Sequence, residues 1–117
     1  MTIRYQDVTQ EQVTAAEVEI YTAPTATNFE SAHIIYGACA NESASDVELT
    51  LNIVQSGGSA AVTNRYFPPK VIFAGEVDNL TPIIGRVLKT GDKIVSIASA
   101  ASALNLSIGI KEIYTDS

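Results

Sequence analysis

Residues 91–113 read GDKIVSIASAASALNLSIGIKEI, and this stretch decides the fold class. From Leu104 to Ile110 every second residue is leucine or isoleucine, and the residues between them are small or polar. A period of two is typical of a β-strand with one buried face. The turn Gly91-Asp92 introduces an earlier apolar strand, and the small residues 99–103 connect the two strands. The stretch therefore predicts a β-hairpin.

Segments of the same kind recur along the rest of the chain at intervals of about ten residues. The clearest alternation covers 46–55, and the turn that follows predicts that 61–67 returns beside it as a hairpin partner. The capping-box spacing of Thr9 and Gln12 is compatible with a single helical turn up to Ala16, as an alternative to irregular structure there. Further strands are expected at 2–8, 17–22, 27–40, 70–74 and 80–88, of which 27–40 is apolar enough to be covered on both faces.

These segments predict an all-β protein, an antiparallel β-sandwich or jelly-roll-like fold of about eight short strands. With 117 residues the chain is long enough for one domain. We expect an N-terminal arm or edge strand at 1–16, followed by a single β-sandwich domain at 17–117. The core is expected to contain the inward-facing apolar residues Val18, Ile20, Ile34, Tyr36, Val47, Leu49, Leu51, Ile53, Ile72, Leu88, Val95, Ile97, Leu104, Leu106, Ile108 and Ile110.

The charge content limits the classes of partner. Charged residues make up 17% of the chain, below the roughly 25% usual in soluble domains, which suggests that another subunit covers part of the surface. The net charge is −6, and the seven lysines and arginines are scattered along the chain. Because nucleic-acid binding needs clustered basic residues, no nucleic-acid partner is expected.

The compartment is predicted from the cysteine count and from the apolar runs. Cys39 is the single cysteine, so no disulfide within the chain is possible. The first residues are polar, unlike a secretory signal, and no run approaches the roughly 20 apolar residues of a membrane span. The chain is therefore expected to fold in a cytosol and to have no membrane partner.

Catalytic groups are sparse. His33 is the single histidine, and it lies six residues from Cys39 at the same parity of one predicted strand. Six strand residues span roughly 20 Å, so these side chains should not meet. We therefore expect a structural histidine and no enzyme activity.

No cofactor or metal is expected. One His and one Cys cannot make a standard zinc site. Calcium would need oxygen ligands in a loop, and the acidic groups Glu42, Asp46 and Glu48, or Glu76 and Asp78, lack the spacing of a calcium loop. A carbohydrate- or receptor-binding module of β-sandwich type is a weaker alternative, since the chain has no tryptophan and its candidate stacking residues are Tyr21, Tyr36, Tyr66 and Phe67.

The closing stretch resembles a pattern in the small virion proteins of tailed bacteriophages. The pattern is a Leu, two residues, Gly-Asp-x-Ile, a small Ala/Ser turn, an Asn and a late Glu. Here it corresponds to Leu88, Gly91-Asp92, Ile94, Ala98-Ser99, Asn105 and Glu112.

The earlier part of the chain is similar to the same proteins. Ile20–Pro24 precedes a long strand that ends in small residues and Asn41, and Ser43-Ala44-Ser45 comes before the next strand. Ala23-Pro24 stands where a family member has Val-Pro. The resemblance covers residues 17–113.

The resemblance implies a structural virion protein with a β-sandwich fold. The role we expect is capsid decoration: a cement protein that binds the major capsid protein and stabilises the phage head as a homotrimer. The expected location is the virion, assembled in the host cytoplasm. A neck, tail or fibre-associated protein is the alternative. Thr2, Ile3, Arg4 and Tyr5 are the expected interface residues, because a short alternating arm can add a strand to a neighbour's sheet.

Overall fold

The computed structural model describes residues 1–10, 13–65 and 67–115. This part of the chain contains nine β-strands and the two short 3-10 turns Val62–Asn64 and Thr81–Ile83. The strands are β1 (Thr2–Gln10), β2 (Val18–Thr22), β3 (Phe29–Asn41), β4 (Val47–Val54), β5 (Lys70–Ile72), β6 (Val77–Asn79), β7 (Val87–Leu88), β8 (Lys93–Ala98) and β9 (Leu104–Tyr114).

The strands form two antiparallel sheets packed face to face. Sheet A has the order β1-β9-β3-β6, with β7 beside the other half of β3, and sheet B has the order β2-β8-β4-β5. Along the chain, β1, β3, β6, β7 and β9 enter sheet A, while β2, β4, β5 and β8 enter sheet B. This repeated crossing between two sheets is the jelly-roll arrangement. The predicted all-β, jelly-roll-like sandwich is confirmed, with nine strands where about eight were expected.

The predicted closing hairpin is wrong. Strand β8 pairs with β2 and β4 in sheet B, whereas β9 pairs with β1 and β3 in sheet A. Residues 99–103 therefore cross from one sheet to the other. Both strands keep their apolar residues toward the same core, so the alternation is the same whether two strands lie side by side or stack across the sandwich.

Three other predicted segments differ from the structure. In the described part of residues 61–67, the predicted hairpin strand is replaced by the 3-10 turn Val62–Asn64 and one isolated antiparallel bridge between Arg65 and Asn52 of β4. The Asn52 side-chain amide donates to the Ala61 carbonyl at 2.8 Å and to Asn64 Oδ1 at 2.6 Å, which ties the turn to β4. The predicted strand 80–88 is a 3-10 turn followed by the two-residue β7. No helical turn begins at Thr9, which lies within β1, and Gln12 lies outside the described residues.

Strand β3 is not covered on both faces. The register between β3 and β9 shifts between Ile34 and Tyr36, so the bulge at Ile35 changes the parity of the residues that follow. Tyr36, predicted to lie in the core, is 41% exposed, and Ile35 is 44% exposed. Because of the bulge, His33 and Cys39 lie on opposite faces of β3: His33 is beside the half-buried Lys111 on the outer face, and Cys39 is fully buried in the core.

The core lies between the two sheets and contains most of the predicted residues. Val18, Ile20, Ile53 and Ile97 are only half-buried. The 3-10 turn near Pro82 adds buried side chains that strand periodicity did not predict. Leu80 and Ile83 come from this turn. Other buried residues outside the predicted core come from loops and strands, and they include Val13, Ala32, Cys39 and Ile94. Within the described part of the chain, no helix is long and apolar enough to cross a membrane.

Candidate interaction interface

The outer face of sheet A, the side turned away from the core, carries most of the large exposed apolar side chains. The described residues expose ten large apolar side chains, and seven of them lie on this face. Strand register places five of the seven there, and the other two, Ile35 and Ile84, line a depression in the same face. An exposed apolar area of this kind is typical of a surface that binds another protein. The seven residues are Ile3, Tyr5, Ile35, Tyr36, Val77, Ile84 and Val87.

The Tyr36 ring lies directly on the outer face, above Gly109 of β9. A Cβ atom at Gly109 would lie 2.2 Å from Tyr36 Cδ1 and 2.3 Å from Cε1, so a larger residue at 109 would displace the ring. Since Tyr36 and Gly109 are register partners, the aromatic ring covers the backbone where the opposing strand has no side chain. This contact holds an aromatic side chain on the surface.

A depression of about 380 Å³ opens beside this ring, and we call it the sheet A depression. Its polar groups are the side chains of Lys111 and His33, and His33 Nε2 lies 3.0 Å from Ser31 Oγ. The rest of the lining is apolar side chain or backbone, so the surface combines apolar contact area with basic nitrogen. The residues that line it include His33, Ile35, Ile84, Gly85, Lys111 and Ile113.

Strand β1 forms one edge of sheet A. It pairs with β9 over nine consecutive residues without a register shift. Among the strands of the described residues, the other edges are short or interrupted: β2 has a bulge, β5 has three residues after Pro68-Pro69, β6 has three and β7 has two. Short strands, bulges, prolines and charged side chains are the usual devices that prevent an edge from pairing with another chain. The edge of β1 is long and regular and has no proline, and its charged side chains are Arg4 and Asp7.

The structure places the predicted interface residues Thr2, Ile3, Arg4 and Tyr5 in β1, within the molecule's own sheet. All four are exposed. Ile3 and Tyr5 share the outer face with Ile113 and Lys111, whereas Thr2 and Arg4 are the partners of Tyr114 and Glu112 on the other side. The N-terminal segment is therefore an edge strand that continues the apolar outer face.

A buried polar cluster lies on the inner side of this edge. Glu112 is 3% exposed and occupies a core-facing position of β9. Its Oε2 accepts a hydrogen bond from the Tyr21 hydroxyl at 2.6 Å, and its Oε1 accepts one from the Tyr114 hydroxyl at 2.9 Å. Gln6 Nε2 lies 3.5 Å from Oε1, and the Arg4 guanidinium lies 5.1 Å from the centre of the Tyr114 ring. The cluster thus joins β1, β2 and β9 through polar contacts.

The buried surroundings of this cluster change the pKa values of its two tyrosines. Burial, followed by the hydrogen bond to Glu112, raises the pKa of both Tyr21 and Tyr114. Both hydroxyls therefore stay protonated at neutral pH and can donate to the carboxyl group. Sequence reasoning missed this cluster, although one signal was present: Glu112 continues the parity of Leu106, Ile108 and Ile110, which places an acid on the buried face.

Comparisons with known proteins add a fold relationship. No family model and no curated protein matches the chain. Among solved structures it is similar to a chain from the disulfide-linked pili of Bacillus endospore appendages, with a TM-score of 0.55, 16% identity, and coverage of 99% of this chain and 90% of that one. It is also similar to a chain in the structure of infectious bursal disease virus strain Gx, with a TM-score of 0.52 and 13% identity.

These likenesses show the fold. The match to the viral chain covers 96% of this chain but 32% of the other, so this chain spans about a third of it. The single cysteine of this chain lacks the exposed thiol that a disulfide-linked assembly requires. Cys39 is fully buried, and burial followed by the charge of Asp78 raises its pKa to about 12, so the thiol is neither accessible nor ionised at neutral pH.

The other candidate chemical groups stay apart. In the described part of the chain, no group of three or more His, Cys, Asp and Glu residues could hold a metal ion. Two of the candidate calcium ligands have other partners: Asp46 accepts a hydrogen bond from the Ala74 N–H at 3.0 Å, and Asp78 forms an ion pair with Lys70 at 3.2 Å. Tyr66 lies outside the described residues.

Proposed function

We propose that this protein is a structural virion subunit that decorates the head of a tailed phage and stabilises its shell. In this proposal it is a non-enzymatic homotrimer that binds the major capsid protein and is assembled in the host cytoplasm. The observation that carries the proposal is the long, regular edge of β1, whose side chains Ile3 and Tyr5 join the exposed apolar side chains on the outer face of sheet A.

The edge explains how such a subunit would bind. A strand of a shell protein can pair with the free edge of β1 through main-chain hydrogen bonds, while side chains on the outer face add specificity. Tyr5 is 68% exposed and Ile3 is 37% exposed on this face. Aromatic and large apolar side chains supply much of the binding energy at the centres of protein interfaces.

A pilus-like or other fibre subunit is the second candidate. Its support is the coverage of the match to the Bacillus endospore appendage chain, 99% of this chain and 90% of that one. Because Cys39 is buried, a fibre of this protein would be held by non-covalent contacts. A neck, tail or tail-fibre position would use the same β1 edge on another virion partner.

The test is a pair of edge substitutions, Ile3→Lys and Tyr5→Lys in one variant. Lysine on an edge strand opposes pairing with another chain, and both positions are exposed, so the domain should stay folded. We expect at least a tenfold loss of occupancy on bare phage heads, which is the effect of about 1.4 kcal/mol of binding energy. Occupancy and the melting temperature of the shell are measured with the intact protein and with the variant.

The matched control is Ser59→Lys with Ala101→Lys, which makes the same change in net charge on exposed loops. The control should bind heads as the intact protein does. Equal occupancy for the edge variant and the control would remove the β1 edge from the mechanism. Binding of the intact protein to tails rather than heads would move the assignment to the neck or tail.

A further inference from the structure

Phe73 is an exposed aromatic residue on a well-held turn. It is 57% exposed and directly follows β5. The Phe73 carbonyl accepts a hydrogen bond from the Glu76 N–H at 3.1 Å, and Gly75 has a φ of 73°, as a tight turn with glycine at its third position requires. The Gly75 N–H also donates to the Asn41 carbonyl at 3.0 Å. The fold thus holds this ring in solvent on an ordered support.

Three acidic residues lie in the Phe73 turn or in the chain segment that pairs with it. Asp46 accepts from the N–H of Ala74, the residue next to Phe73, at 3.0 Å. Glu76 closes the same turn, and Glu48 is the register partner of the exposed Val71 on β5. All three acids are exposed. We call this surface the Phe73 knob: an aromatic ring with an acidic border.

The sheet A depression has the complementary character. Its lining is mainly apolar, and its basic side chains are Lys111 and His33. The sheet A depression is therefore apolar with basic side chains, whereas the Phe73 knob is aromatic with acidic neighbours. Complementary charge of this kind favours one docking orientation over others.

One copy cannot place its own knob in its own depression. The knob lies beside the end of β3 at Asn41, since Gly75 and Glu76 bond that residue, whereas the depression lies at His33 and Ile35. The six to eight intervening residues of an extended strand span roughly 20–26 Å. The two surfaces can therefore meet only between copies.

We infer that Phe73 of one copy inserts into the sheet A depression of a second copy. The contact joins two different surfaces, so it is heterologous: repeated contacts close into a ring or extend as a fibre. This inference rests on the proposed function as an assembling subunit and names the self-contact within it. The β1 edge stays free for the shell partner.

The test uses disulfide trapping between two variants that each add one cysteine to the native Cys39. One is Glu76→Cys, at the end of the Phe73 turn, which keeps the Phe73 ring, and the other is Ile84→Cys. Both positions are exposed, and Cys39 is buried, so the added thiols are the reactive ones. With diamide as oxidant, an equal mixture should give a disulfide-linked dimer of one copy of each variant. Each variant alone should give at least tenfold less. The matched control mixes Glu76→Cys with Ala101→Cys, which is exposed in the turn between β8 and β9.

Three outcomes would overturn the inference: no dimer in the mixture, an equal yield with the Ala101→Cys control, or equal dimer formation by Glu76→Cys alone. A second measurement does not depend on cysteine chemistry. Phe73→Ser should lower the self-association constant at least tenfold in sedimentation analysis, whereas Thr63→Ser, a change at an exposed position of the 3-10 turn Val62–Asn64, should leave it unchanged. Unchanged self-association of Phe73→Ser would also overturn the inference.

The two proposals fail separately. Loss of head binding by the lysine variant with normal disulfide trapping would support both. Normal head binding without trapping would leave the decoration function intact and remove the Phe73 contact. Trapping by a protein that never binds heads would keep the self-contact and reject the decoration function.

Discussion

Leu106→Asp is expected to abolish folding. Leu106 is 1% exposed and lies in β9, the strand that pairs with both β1 and β3 in the interior of sheet A. Truncation of a buried leucine costs about 2–5 kcal/mol before any charge is considered. An unpaired carboxylate between two apolar sheets adds several kcal/mol more. The sum approaches or exceeds the roughly 5–15 kcal/mol that stabilises a whole domain.

The measurement is far-ultraviolet circular dichroism with thermal unfolding, and the matched control is Ser107→Asp. Ser107 is the next residue of the same strand, faces the outer side and is half-buried, so an added carboxylate there can reach solvent. The control should keep the β spectrum and a cooperative transition. Cooperative unfolding of Leu106→Asp near the wild-type temperature would show that this face of β9 is not core.

The double substitution Tyr21→Phe with Tyr114→Phe should give the second-largest loss. It keeps both rings but removes both hydroxyls that donate to the buried Glu112 carboxyl group. A hydrogen bond to a charged group contributes about 1.5–3 kcal/mol, so the pair should lower the free energy of unfolding by about 3–6 kcal/mol at pH 7. Urea unfolding measures this change. The control is Tyr5→Phe, since Tyr5 is 68% exposed.

The same variant should change how stability depends on alkaline pH. An unfolded tyrosine loses its proton near pH 10, whereas folded Tyr21 and Tyr114 keep theirs because their pKa values are raised. Above that pH the unfolded state binds fewer protons, so the free energy of unfolding falls as pH rises. The double variant should lose stability less steeply above pH 10.

Cys39 contributes in the same direction, because burial raises its pKa from 9.0 to about 12. It is present in both proteins, so its contribution cancels when the two pH profiles are subtracted. Parallel profiles for wild type and the double variant between pH 10 and 12 would show that the two hydroxyls do not titrate differently in the folded and unfolded states.

The sequence alone determined the fold class and most of the buried faces. The alternations over 46–55 and 104–110 correctly predicted strands with one face in a core, because a period of two arises wherever a strand lies between core and solvent. The prediction that Thr2–Tyr5 form an arm or edge strand also came from such an alternation. The absence of clustered basic residues and of closely spaced metal ligands limited the classes of function in the same way.

Which strands pair was decided only by the tertiary structure. Strands β8 and β9 are consecutive and share one core, but they lie in opposite sheets, and hydrophobic alternation does not distinguish a neighbour in a sheet from a neighbour across the sandwich. The bulge at Ile35 had the same consequence locally, since one extra residue turned Tyr36 outward onto Gly109 and Cys39 inward. The Glu112 cluster, the sheet A depression and the Phe73 knob each bring together residues far apart in the chain. Their geometry depends on long-range register and on the crossing of the chain between sheets, which a local pattern does not encode.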